Sequence, residues 1–243
     1  MTCAAGSPSG QLILPESVKL LPLLALGLLK SPALRGHAAN AGATGGQPLA
    51  ADAVDADERA AAQLRLLRLP AREYARFAYP RLYPLHELAD APADAPADAP
   101  APAAAASPLP RRLSCSSEHL SAAGIFALDA GGALLVYVGG RAPPALLEEL
   151  FGPDAAGAVA RANGAPLELA GQGPFVDKVR AALAHLEADR SESPRARVFV
   201  AGANGACEQR FTSLLIEDQT RHDVSYVDFL CSVHRQIQAK LTA

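Results

Sequence analysis

Side chains able to do chemistry are spread thinly along these 243 residues. The cysteines, Cys3, Cys115, Cys207 and Cys231, stand far apart with no Cys-x-x-Cys pair, so the spacing spells out neither a zinc cage nor a redox couple. The histidines, His37, His86, His119, His185, His222 and His234, form no His-Glu-x-x-His, and His86-Glu87 has no partner at the right helical offset. There is no Gly-x-Ser-x-Gly elbow to present a serine and no local setting that would lower a thiol pKa, which leaves nucleophilic catalysis without a candidate. Gly202-Ala203-Asn204-Gly205 lacks the lysine of a phosphate cradle and reads as a turn. Glu217-Asp218 could act as an acid-base or calcium pair, but adjacent carboxylates at a strand end read as solvated. His234 borders an apolar stripe and reads as an edge residue, and Cys231 as a bland buried thiol in a helix. No catalytic, cofactor-binding or metal-binding residue is therefore assigned, no binding residue can be named, and the chain is expected not to be an enzyme; binding proteins need no catalytic set.

Composition sets the frame for the elements. Half of the residues are apolar and 19% are charged, a globular balance, while 20 prolines and 19 glycines mark part of the length as linker. A net charge of -3 supplies no basic footprint for nucleic acid and no polybasic stripe for anionic lipid. Sparse cysteines and the lack of any Asn-x-Ser/Thr favour a reducing, cytoplasmic compartment. Leu20 to Leu29 (LLPLLALGLL) has the size of a signal-peptide core, which would predict cleavage near Ala39. It is too short to cross a bilayer, and Pro15, Glu16, Lys19 and Pro22 fit the opening of a buried helix instead.

Three stretches follow from local rules in the first third. Residues 36 to 52 are Gly/Ala-rich and read as a mobile surface loop. Asp55 to Leu69 reads as a helix with acids in its first turn and Ala60, Leu64 and Leu67 on one face, ended by Pro70. Tyr79-Pro80-Arg81-Leu82-Tyr83-Pro84 reads as an extended, anchored segment, because a residue before proline is pushed out of the α region. Residues 89 to 108 are Asp-Ala-Pro repeats and an alanine run; they read as a low-complexity linker and domain boundary between a partial all-helical part, 11 to 88, and a second domain, 109 to 243.

The second domain reads as an α/β, more broadly α+β, module with helices on the faces of a mixed sheet. Arg111 to Cys115 is a candidate short strand. Gly124 to Leu128 and Ala133 to Val138 read as strands joined by Asp129-Ala130-Gly131-Gly132, a hairpin signal. A helix opened by Pro143 or Pro144 runs to Phe151 and is stopped by Gly152; residues 152 to 173 read as loop. Pro174 to Ala188 carries a helical stripe through Phe175, Val176, Val179, Leu183 and Leu186. Arg197 to Ala201 and Phe211 to Ile216 read as strands around the Gly202 to Gly205 turn. Ser225 and Asp228 form a capping box for a helix whose Tyr226, Phe229, Leu230, Val233 and Ile237 must pack on something, most simply the strands before it.

Several of these blocks, in order, resemble the cargo-adaptor subunit of the COPII inner coat, the Sec-twenty-four family. They are Leu14 to Arg35, Asp57 to Leu88 with YPRLYPLHEL, Leu120 to Gly139, Leu150-Phe151-Gly152, and Leu214 to Gln238. YPRLYPLH and SYVDFLC-x-x-H-R-Q-I are the specific ones. The resemblance implies a helical domain followed by a gelsolin-like domain. It further implies a cytoplasmic coat component in endoplasmic reticulum to Golgi transport, at endoplasmic reticulum exit sites and on the vesicle coat. Its partners would be the sister subunit of the inner coat, cargo and fusion proteins, and, indirectly, the small coat GTPase, with peripheral membrane association, no nucleic acid and no cofactor. The family's zinc finger, trunk and β-rich domain have no counterpart in these residues, so the chain is expected to be an incomplete protein and no cargo-pocket residue can be transferred. The rival expectation is a free-standing gelsolin-type module binding actin or phosphoinositide, with acidic calcium ligands on the sheet rim.

Overall fold

The computed structural model describes residues 14–34, 56–90, 107–188, 196–200, 211–220 and 223–241. The Gly/Ala stretch 36–52, most of the Asp-Ala-Pro stretch and the Gly202 to Gly205 turn lie outside the described residues, as do Cys3, His37, Cys207 and His222. By compactness the chain divides into two units, Met1–Leu69 with Ile216–Ala243, and Pro70–Leu215.

The first unit is helical. A 3-10 turn at Glu16–Val18 precedes α1, Leu21–Lys30, which carries Pro22 in its first turn, where a missing N–H costs nothing. Pro15 thus precedes the 3-10 turn, and α1 itself opens six residues later, at Leu21. α1 buries Leu23, Leu26, Gly27 and Lys30. α2 spans Ala56–Arg68, as its acidic start and Pro70 stop require. The face expected to be apolar contact is open instead: Leu64 is 50% and Leu67 84% exposed. The last helix of the unit, Tyr226–Leu241, starts at the capping box: Asp228 N–H donates to Ser225 Oγ at 3.1 Å, and Ser225 Oγ–H reaches Asp228 Oδ2 at 2.7 Å. This helix packs against α1.

The second unit is built on a four-stranded mixed sheet in the order β1-β2-β3-β4. β2, Ile125–Asp129, and β3, Leu134–Val138, pair antiparallel with Ile125 opposite Val138. Gly131 closes their turn at φ 71°, and Asp129 Oδ1 accepts the Gly131 N–H at 3.1 Å, the side-chain turn that aspartate favours. β4, Arg197–Val200, runs parallel to β3, so the intervening chain must cross over, and it does so through helices. β1, Arg81–Pro84, is the proline-bracketed segment, antiparallel to β2 with Leu82 opposite Leu128. Its prolines suit an edge position, where one strand face needs no donor.

These pairings correct two sequence expectations. The aromatic-proline segment belongs to the sheet and not to a helical part ending at residue 88, and the compact units do not divide at 89 to 108. Strand pairing across sequence, not composition, decides membership. Phe211 to Ile216 is no strand: Phe211 and Thr212 make a helical turn, with Leu214 N–H bonded to Phe211 O at 3.1 Å. Arg111 to Cys115 contributes only an isolated bridge, Leu113 to Leu82.

α3, Ala71–Ala78, precedes β1; α4, Pro144–Phe151, ends at Gly152 with φ 85°. The stretch expected as loop after it contains α5, Ala155–Ala162. α6 spans Pro174–Ala188, its first turn held by Glu149 Oε1, which accepts the Phe175 N–H at 2.6 Å. We label the terminal helix Tyr226–Leu241 α7. The alternation of β2 divides the sheet unit into two cores. Ile125, Ala127, Val136 and Val198 face Leu150, Phe151, Val159, Phe175, Val176, Val179 and Leu183 of α4 to α6. Phe126, Leu128 and Leu135 face Leu82, Cys115, Phe211 and Leu215. Both faces of β2 are buried along its length, which is why it reads as an unbroken apolar run.

Candidate functional site

Among the described residues, buried polar side chains serve as anchors between elements. In the sheet unit, Arg76 on α3 and Asp129 at the hairpin are 3% and 0% exposed at the side chain and lie 3.8 Å apart. α3 approaches the turn so closely that a Cβ at Gly131 would stand 3.0 Å from Phe77 N and 3.1 Å from Glu73 O. The charge pair thus fixes α3 over the β2–β3 turn, in a place where unpaired charge would be costly. In the helical unit, Lys30 is 5% exposed and donates to Ile216 O at 2.8 Å and Asp218 O at 2.7 Å. A cation at the C-terminus of α1 also suits its dipole. Gln63 Nε2 on α2 donates to Ala33 O at 3.0 Å, and Tyr226 N–H to Glu217 O at 3.0 Å. Partial burial, then the Glu217 charge, pushes the Tyr226 phenol above its ordinary value.

The sequence-derived candidates fall into these anchors. Glu217-Asp218 follows a turn, not a strand, and Asp218 offers its backbone carbonyl to Lys30. His86 Nδ1 accepts the Ile125 N–H at 3.2 Å at the end of the β1–β2 pairing, and its ring meets Phe126 edge-on at 5.0 Å. His119 Nε2 is 2.6 Å from Ser114 Oγ. Cys115 is buried and directs Sγ–H to Leu214 O at 3.1 Å, whereas Cys231, expected to be buried, is exposed because it lies off the apolar stripe of its helix. Among the described residues no three His, Cys, Asp or Glu side chains stand together for a metal ion. No described helix is long and apolar enough to cross a membrane.

Two surface features stand out among the described residues. The sheet unit has an open cleft of about 420 Å³ between Leu88, Leu109, Pro110 and Lys178, whose Nζ donates to Leu88 O at 3.1 Å. The helical unit carries apolar surface: among the described residues the large exposed apolar side chains are Val18, Leu20, Leu21, Leu29, Leu34, Leu64, Leu67 and Val227, all in that unit. Tyr226, Phe229, Leu230, Val233 and Ile237 of α7 are half-buried, so the burial expected of that stripe is only partly realised here. The sequence pattern marks α7 as amphipathic but not how much of its face finds a partner within the chain.

Residues 1–44 match the family model of the Sec23/Sec24 helical domain. Over 242 residues, 98% of the chain, the sequence is 31% identical to protein transport protein SEC24 C of Arabidopsis thaliana. Over 241 residues it is 31% identical to human Sec24C, and over 237 residues 28% identical to human Sec24D. The chain spans about a fifth of these relatives, 19% of the first two and 20% of the third. The crystal structure of the human COPII-coat protein Sec24c superposes with a TM-score of 0.72 and 29% identity, over 96% of this chain and 26% of that one. An α+β unit and a helical unit in one chain are consistent with the gelsolin-like and helical domains expected of that architecture. The helical-domain match, the Sec24 relatives and the Sec24c structure together fit a segment of the Sec24 family.

Proposed function

We propose that the chain is a cargo-adaptor-type component of the COPII vesicle coat, acting in endoplasmic reticulum to Golgi transport by shape and not by reactivity. The observation that carries this reading is continuous similarity over 98% of the chain to a protein transport protein, in the fold of a COPII-coat protein. The buried anchors support it: Lys30 and the Arg76–Asp129 pair tie backbone together and hold no group toward a substrate. So does the apolar surface of the helical unit, since leucines left in water at this density mark contact surface.

In this role the chain works beside the sister subunit of the inner coat, gathers cargo and fusion proteins at endoplasmic reticulum exit sites, and meets the small coat GTPase indirectly. It lies on the membrane peripherally, from the cytoplasmic side, and needs no cofactor and no chemistry of its own. The test is affinity capture of the full-length gene product from cells. The expected result is recovery of the sister coat subunit in near-equal amount; its absence, with actin or phosphoinositide binding in its place, would transfer the assignment to a gelsolin-type module.

A further inference from the structure

Arg111-Arg112-Leu113-Ser114 places two guanidinium groups three and two residues before a hydroxyl. Kinases choose substrates by charge pattern, reading cations at fixed steps from the acceptor along an extended segment. This segment is already extended at its centre: Leu113 bridges antiparallel to Leu82 and donates its N–H to Leu82 O at 2.9 Å. Alternate residues then face opposite ways. Cys115 is buried in the second core with Leu113 packed beside it, while Arg111 and Arg112 are exposed and Ser114 half-buried. Tyr79 braces both sides of the hydroxyl. Its ring lies 5.0 Å from the Arg112 guanidinium, and its oxygen accepts the Cys115 N–H at 3.1 Å. Ser114 Oγ lies 2.6 Å from His119 Nε2 in a solvent-exposed hydrogen bond.

We propose that Ser114 is a phosphorylation site for an arginine-directed serine kinase, with Arg111 and Arg112 as the residues that the kinase reads. Ser114 Oγ attacks the γ-phosphorus of ATP, the bond to the β-phosphate oxygen breaks, ADP leaves, and the hydroxyl proton passes to the kinase's catalytic carboxylate. The product adds about -1.5 to -2 charges beside the His119 ring and on the segment that carries the two arginines. Guanidinium donors on the same segment suit charge-assisted hydrogen bonds to a phosphate.

The experiment incubates the full 243-residue chain with ATP and the catalytic subunit of cyclic-AMP-dependent kinase, and locates phosphate by mass spectrometry. The expected result is one phosphate on Ser114, abolished by Ser114→Ala and slowed about tenfold or more by Arg111→Gln with Arg112→Gln, since the charge pattern sets selection. Circular dichroism confirms that the variants fold, and the single Arg111→Gln, at an exposed position, keeps the test intact if the double variant does not. Three results would overturn the proposal: phosphate on Ser116 or Ser117 instead, an unchanged rate without the arginines, or no incorporation into the folded chain, whether or not a peptide of residues 108–120 is labelled.

Discussion

The two units bury apolar surface to very different degrees. The sheet unit encloses two cores, and Phe126, Leu128, Leu134, Leu135, Phe211 and Leu215 are each no more than 2% exposed. In the helical unit the buried apolar side chains among the described residues are Leu23, Leu26, Ala33 and Ile216, whereas Leu20, Leu21, Leu29 and Leu67 are each more than half exposed. A helix apolar on most sides belongs in an interior. The difference teaches that the sheet unit is stabilised mainly from within, while the helical unit leans on a few polar ties and leaves several leucines exposed among its described residues.

Variants can break that contrast. The largest effect is expected of Asp129→Ala, which removes the carboxylate facing the buried Arg76 and should cost about 3 to 5 kcal/mol in urea unfolding of the sheet unit. A loss below 1 kcal/mol would mean that the pair is not what fixes α3 on the hairpin. Lys30→Met keeps the stem and deletes the donor to Ile216 O and Asp218 O; about 2 kcal/mol should be lost, read as faster amide exchange in α1 with β2 and β3 unchanged. Equal acceleration in both units would erase the distinction drawn between them. Ser225→Ala removes the cap of α7 and should lower helix stability by about 1 kcal/mol, visible in the far-ultraviolet melting curve. Leu67→Gln sharpens the comparison from the other side. At 84% exposure its effect on folding should stay within about 0.5 kcal/mol, while capture of coat partners by the full-length protein weakens.

Much of the sheet unit is legible residue by residue. The unbroken apolar runs of β2 and β3 around Asp129 to Gly132, the stripe of α6 and the Ser225–Asp228 box of α7 each follow one local rule and appear as read. α5 escapes because AAGAVARA has small side chains and an internal Gly157, too little contrast between faces for periodicity to register. Phe211 to Ile216 reads as a strand from its apolar residues, but Phe211 is buried by stacking on Tyr137 at 4.8 Å, and this tertiary contact suits a turn equally well. The partnership of β1 with β2 crosses the low-complexity stretch, so no window of sequence contains both strands. The anchors were the least legible part. Lys30 and Ile216 lie 186 residues apart, and a lysine ending an apolar helix carries no sign that its ammonium will be buried.

The functional reading rests on the helical unit meeting a larger coat. Hydrogen exchange of the full-length protein, alone and assembled with the sister subunit, tests this most directly. The account predicts slowed exchange in α1 or α2, around Leu20 to Leu29 and Leu64 to Leu67, with β2 and β3 unaltered. Identical exchange in those helices with and without the coat would contradict it.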